Sequence, residues 1–218
     1  MTKMKNTWII LLTGVSLFFA ACSGNTGKTD AVDTDKAGEE AQATETSATY
    51  ALDTEASTLN WKGSKSFTDD FHQGTIKITE GSLSTENGNV IAGNFTVDMA
   101  SIEENTDNQE MAAKLIGHLK SPDFFLVDSF PTASFSIVKV EGNNITGNLE
   151  IKGVAKEITF PAEIEVGEEG VNASASFVIN RMDWGVEYGN GSIVDLAKDK
   201  IISNDIEFVV NLKATKEG

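Results

Sequence analysis

The chain has 218 residues, 40 % hydrophobic and 23 % charged, which supports one domain with a core plus attached segments. Uniform disorder is excluded by this composition, and a multi-pass helical membrane protein by the lack of repeated long apolar runs. The net charge of -16 argues against nucleic acid as a partner, and one cysteine with two histidines excludes an intramolecular disulfide and a Cys-built zinc site.

Residues 1–21 read as a secretory leader. Lys3 and Lys5 form a short basic start, and an apolar run extends from Trp8 to Ala21. The run is too short to span a bilayer comfortably and suits the apolar region of a signal peptide. It ends Phe19-Ala20-Ala21-Cys22, which resembles a bacterial lipoprotein cleavage motif with Cys22 as the lipidated first residue. An ordinary signal cut nearby, leaving a free thiol, is the alternative. The expected location is the bacterial envelope, lipid-anchored on the periplasmic side or the cell surface.

Residues 22–49 carry Val32 as their only large aliphatic side chain and no aromatic. Such a stretch buries too little apolar surface to offset its ordering entropy, and is expected to be a disordered tether. The domain is expected over 50–218.

From Tyr50 onward the apolar residues recur with period two, the signature of half-buried strands. Leu59 and Trp61 alternate with Asn60 and Lys62, and Ile76 and Ile78 with Lys77 and Thr79. Phe95, Val97 and Met99 form the next set, followed by Phe135 and Ile137 and, beyond a slip at Val138, Val140. Ile145, Gly147, Leu149 and Ile151 follow, then Ile158, Phe160, Ala162, Ile164 and Val166. Val171, Ala173, Ala175, Phe177 and Ile179 precede the last set, Ile206, Phe208, Val210 and Leu212. Turn signals separate them at Glu86-Asn87-Gly88-Asn89, Glu141-Gly142-Asn143-Asn144, Gly167-Glu168-Glu169-Gly170 and Gly189-Asn190-Gly191. About eight such strands in up-and-down order close into an all-β antiparallel barrel, with a two-sheet sandwich as the alternative.

One segment breaks the pattern. Asp107-Asn108-Gln109-Glu110 reads as a capping box, and Met111, Leu115, Ile116 and Leu119 recur at helical spacing until Ser121-Pro122 stops them. A short helix between two strands is predicted. The aromatic cluster Phe124, Phe125 and Phe130 after it is expected to plug one barrel end, to wall a cavity, or both.

Catalytic chemistry is not evident. No Gly-x-Ser-x-Gly occurs, Glu103 and Glu104 would point to opposite faces of a strand, and His72 and His118 are lone histidines. Asp195 and Asp199 near Asn190 match no calcium loop. Arg181 is the only arginine, in Asn180-Arg181-Met182-Asp183-Trp184-Gly185. It is expected either to pin a strand end, with Asp183 as a partner, or to contact a polar headgroup.

With these elements in place, the domain resembles the YceI-like family of bacterial secreted and periplasmic proteins. The similarity runs over Tyr50 to Ala214. Its motifs are Tyr50-x-Leu52-Asp53 with Leu59-x-Trp61, Gly93-Asn94-Phe95-x-Val97-Asp98-Met99-x-Ser101-Ile102, and His118-Leu119-Lys120-Ser121-Pro122-Asp123-Phe124-Phe125-x-Val127. Phe130-Pro131-x-Ala133-x-Phe135, Gly147-Asn148-Leu149-x-Ile151-Lys152-Gly153-Val154-x-Lys156 and Asn180-Arg181-x-Asp183-Trp184-Gly185 complete it. Leu115-Ile116 stand where many members carry Arg-Asp, and Trp184 where Phe is commoner.

The resemblance implies an extended lipocalin-like barrel whose elongated apolar cavity holds a long isoprenoid or similar amphiphile. The expected lining is Trp61, Phe95, Val97, Met99, Leu115, Leu119, Phe124, Phe135, Ile137, Leu149, Phe160, Phe177, Trp184 and Phe208, with His118, Arg181 and Asp183 at the mouth. Small residues Ala162, Ala173, Ala175, Gly93 and Gly147 are expected to leave space. The expected ligand is an isoprenoid or quinone-like lipid, with no other cofactor and no metal. The expected function is carriage or sequestration of that lipid, with a filled barrel serving as an envelope interaction module as the alternative. The membrane is a partner through the anchor, and a homodimer stays open.

Overall fold

The computed structural model describes residues 46–191 and 197–218. The signal peptide, Cys22, most of the expected tether and Asp195 lie outside them, and the side chain of Asp199 is not described.

Nine strands and one α-helix are present among the described residues. They are β1 (Ser47–Leu52), β2 (Thr58–Lys65), β3 (Phe71–Glu86), β4 (Asn89–Glu104), α1 (Gln109–Lys120), β5 (Thr132–Glu141), β6 (Asn144–Ile151), β7 (Val154–Val166), β8 (Gly170–Asn180) and β9 (Ile202–Lys216). All pairings are antiparallel. β1 and β2 both lie between β3 and β9, one beyond the other along the same direction. They form one interrupted stave, so nine segments build a closed barrel of eight staves. At the interruption the chain leaves the sheet over 53–57. There Asp53 Oδ1 accepts from the backbone N–H of Glu55 at 3.2 Å and of Ala56 at 3.0 Å. This local turn competes with the ladder and breaks it.

The turns follow from residues that tolerate positive φ. Asn87 and Gly88 have φ of 51° and 76°, and Lys152 and Gly153 have 53° and 74°. Both pairs fit the hairpin turn whose twist matches right-twisted strands. Lys152-Gly153 is a turn that the sequence reading passed over. The slip at Val138 is real: β5 and β6 shift register between Ile137 and Lys139, and Val138 faces solvent.

Four local expectations are corrected. β1 begins inside the stretch read as tether, because Ser47–Thr49 pair with Ser84–Glu86 through backbone groups that carry no hydrophobic signal. The helix cap is Asn108, one residue later than the capping box placed it; its side chain accepts from Met111 N at 3.1 Å. The helix stripe is Ala112, Leu115, Ile116 and Leu119, while Met111 is 59 % exposed. Gly189-Asn190-Gly191 belongs to the long connection from β8 to β9, not to a tight hairpin.

Layered apolar clusters fill the barrel. Tyr50, Leu83, Val90, Val171 and Ala214 pack at the end carrying the β3–β4 and β7–β8 turns. Trp61, Ile76, Ile102, Leu119, Phe124 and Val186 pack at the opposite end, under α1. Met99, Val127, Ala133, Ile151, Ile179 and Trp184 pack beside them. Ile145, Phe160 and Ala162 form a fourth group against β7.

Candidate functional site

Inside the barrel lies a cavity of about 160 Å³. Its wall is apolar but for Ser134 and Ser174. Along β4 alone the lining runs from Val90 to Met99, roughly 30 Å of strand at about 3.3 Å per residue. The space is therefore long and thin.

Nine of the residues expected to line it do so: Phe95, Val97, Met99, Phe135, Ile137, Leu149, Phe160, Phe177 and Phe208. Four of these form a continuous row of rings. Phe135 and Phe160 have centroids 5.4 Å apart, Phe160 and Phe177 stack at 4.3 Å, and Phe177 and Phe208 lie at 5.5 Å. The row follows from strand order. β5, β6, β7, β8 and β9 are successive neighbours, and Phe177 sits directly opposite Phe208.

Small side chains contribute to the wall. Ala162, Ala173 and Ala175 border the cavity from β7 and β8. Gly93 and Gly147 were expected to leave space as well, but theirs is occupied. A Cβ on Gly147 would sit 2.4 Å from the Phe135 ring, and one on Gly93 would sit 2.8 Å from Leu83. At both positions glycine admits a large neighbour instead of an open volume.

Leu59, Ile76, Ile78, Val210 and Leu212 also line the cavity without having been singled out, and Phe125 of the aromatic cluster walls it. All but Phe125 belong to period-two sets, Leu59 with Trp61, Ile76 with Ile78, and Val210 and Leu212 with Phe208, so the signal for them was present. Phe125 comes from the loop after α1, where periodicity is silent.

Trp61, Leu115, Leu119, Phe124 and Trp184 are not among the lining residues. They pack around the α1 end of the barrel. The Trp61 indole N–H donates to Glu103 O at 3.1 Å, and that of Trp184 to Leu149 O at 3.1 Å. These bonds satisfy the one polar group of each buried indole and fix its ring. Leu115 and Ile116, which replace a polar pair common in the resemblance, lie half-buried against the same cluster.

The expected mouth residues are not brought together at the cavity. His118 sits edge-on between Phe124 and Tyr188, at centroid distances of 5.0 and 4.5 Å, with Nε2 3.3 Å from Asp123 Oδ2. Asp183 is exposed. Arg181 is only 2 % exposed. Its guanidinium donates to the backbone carbonyls of Ser203 (3.0 Å), Val186 and Ile202 (3.4 Å). Burial lowers its pKa from the ordinary arginine value. Arg181 thus pins the β8–β9 connection to the start of β9, with carbonyls as partners in place of Asp183. His72 pairs through Nδ1 with the carboxylate of Glu104, whose side chain is buried. Among the described residues no group of three His, Cys, Asp or Glu side chains is placed to hold a metal.

Relatives and solved structures agree with this architecture. A UPF0312 protein of Staphylococcus aureus (strain N315) is 30 % identical over 105 residues, covering 43 % of this chain and 61 % of the relative. The YceI protein of Salmonella arizonae is 34 % identical over 97 residues, covering 42 % and 48 %. The chain thus spans about half to three-fifths of these relatives. Burkholderia cenocepacia BcnA superimposes with a TM-score of 0.58 at 21 % identity, over 75 % of this chain and 99 % of that one. A structure described as a polyisoprenoid binding domain from Saccharophagus degradans gives 0.59 at 18 %, over 77 % and 98 %. The YceI-like domain profile matches residues 50–214, and the chain belongs to the YceI-like family.

Proposed function

We propose that this protein binds a long-chain isoprenoid or similar amphiphilic lipid in its barrel and carries or sequesters it at the bacterial envelope. The observation behind this reading is the long, thin cavity with an apolar wall. The solved relative described as a polyisoprenoid binding domain supports the ligand class. Binding is driven by burial of tail methylenes, at about 0.8 kcal/mol each. The cavity wall, apolar but for Ser134 and Ser174, supports binding as the role. Lipidation at Cys22, with residues 22–49 largely a leash, would hold the barrel near membrane lipid.

Size sets the mechanism. Dry cavities of about 150 Å³ lined by Leu, Ile and Phe take a benzene-sized guest. A longer tail therefore requires the ring row Phe135, Phe160, Phe177 and Phe208 to turn and merge the thin space into a tunnel. The same small volume favours the second reading, a filled barrel that serves as an interaction module without a lipid. A fluorescent hydrophobic probe tests the two. The lipid reading predicts a fluorescence gain on mixing, lost in Phe95→Asp and Phe177→Asp variants. No gain in the unmodified protein, with no uptake of added isoprenoids, favours the filled barrel.

A further inference from the structure

An amphiphile needs a place for its head, and the described interior offers none. The end under α1 is closed by Trp61, Ile102, Leu119, Phe124 and Val186, and the other by Tyr50, Val171 and Ala214. None of these eight residues lines the cavity. The side wall is different. Where the β1–β2 stave is interrupted, an outer groove is lined by Thr54, Glu55, Ser57, Thr75, Lys77 and Thr79, together with the apolar residues Leu59, Ile76 and Ile78. Those three apolar residues line the inner cavity too. They are the partition between a polar groove and an apolar interior. The wall is irregular at the same height: β3 and β4 shift register between Thr75 and Lys77, and again between Ile78 and Glu80.

We propose that this groove is a lateral portal and head-binding site, an inference that rests on the lipid-binding reading above. The tail passes the Leu59, Ile76 and Ile78 partition into the barrel, and the head stays in the groove. The groove's chemistry fixes the class of head. Lys77 is exposed and makes no ion pair with a described residue. The hydroxyl of Thr75 flanks it in sequence and is a donor to oxygen acceptors, while that of Thr79 donates to Thr96 O at 3.3 Å. Among the residues lining the groove Lys77 is the one cation and Glu55 the one anion. The head is therefore an anionic oxygen group, such as a phosphate monoester or a carboxylate, on a long apolar tail.

The test uses the full chain and two probes of one tail length, a prenyl monophosphate and the matching prenyl alcohol, read by tryptophan quenching at low salt. Lys77→Gln is expected to weaken the phosphate probe about tenfold and leave the alcohol unchanged, since only the phosphate loses a charge-assisted contact. Lys156→Gln, an exposed lysine on β7 outside the groove, is expected to change neither. If both probes bind and Lys77→Gln matches Lys156→Gln, the portal is refuted while the lipid reading stands. If neither probe binds the unmodified chain, the lipid reading fails and the portal with it.

Discussion

Replacing Arg181 with alanine separates a structural arginine from a ligand-binding one. The guanidinium is buried and donates to three main-chain carbonyls, at Ser203, Val186 and Ile202. A hydrogen bond to a charged group contributes about 1.5–3 kcal/mol, and the bond to Ile202 O is long at 3.4 Å. Removing the donors also leaves the buried Val186 carbonyl without its partner. A buried acceptor left unsatisfied costs about 1–3 kcal/mol, which with the lost charged bonds puts the total at about 3–5 kcal/mol. For a domain of this size each kcal/mol lowers the melting temperature by about 2–4 °C, so the expected drop is on the order of 10 °C. Thermal unfolding followed by circular dichroism measures it. Arg181→Lys should recover only part of the loss, because an ammonium does not reproduce the planar fork. In folded protein at low temperature, the lipid affinity of Arg181→Ala should remain. A variant with unchanged melting temperature and abolished lipid binding would refute this assignment and return Arg181 to a headgroup role.

Phe177→Ala should cost about 3–5 kcal/mol in chemical denaturation, since it removes the ring stacked between Phe160 and Phe208. The same variant should bind small aromatic guests that raise its melting temperature more than they raise that of the unmodified protein. Gly147→Val should destabilise by about 1–3 kcal/mol, because a Cβ there meets the Phe135 ring at 2.4 Å and Ser136 O at 2.6 Å. Asn108→Ala should cost about 1 kcal/mol through loss of the α1 cap while leaving probe binding intact. The carboxyl of Asp70 is held below its ordinary value of 3.8, first by the Lys65 hydrogen bond and then by the Lys65 charge. Its stabilising contribution is present above that value and is lost as the pH falls through the lower folded value. Asp70→Asn should therefore melt slightly below the unmodified protein at neutral pH, with the two curves converging at the acid end, a small difference as befits an exposed pair.

The barrel was legible because period-two alternation is a direct imprint of a one-sided sheet. Phe95, Val97 and Met99 on β4, and Phe177 opposite Phe208, reach the cavity for that reason alone. The end of the barrel was less legible. Trp61 keeps the alternation of its strand, yet its height along the barrel places it in the plug under α1, and height is invisible to periodicity. Leu115, Leu119 and Phe124 are apolar for the same plug. Arg181 shows a different limit. A lone arginine among lysines signals a directed contact, but its partners are carbonyls, and every residue has one. Glycines 93 and 147 misled because a missing side chain reads as space, while the structure fills it with Phe135, Ile137 and Leu83. The β1–β2 interruption left a trace in Asp53, whose side chain caps the break, but a single Asp is too common to predict a gap in a barrel wall.

The central claim is that the barrel holds a lipid. Native mass spectrometry of the full chain, purified gently from the cells that make it and followed by organic extraction, tests it most directly. The account predicts one prenyl-type lipid per chain, released on unfolding and absent from the Phe95→Asp variant. A chain that arrives empty and takes up no added isoprenoid would contradict it.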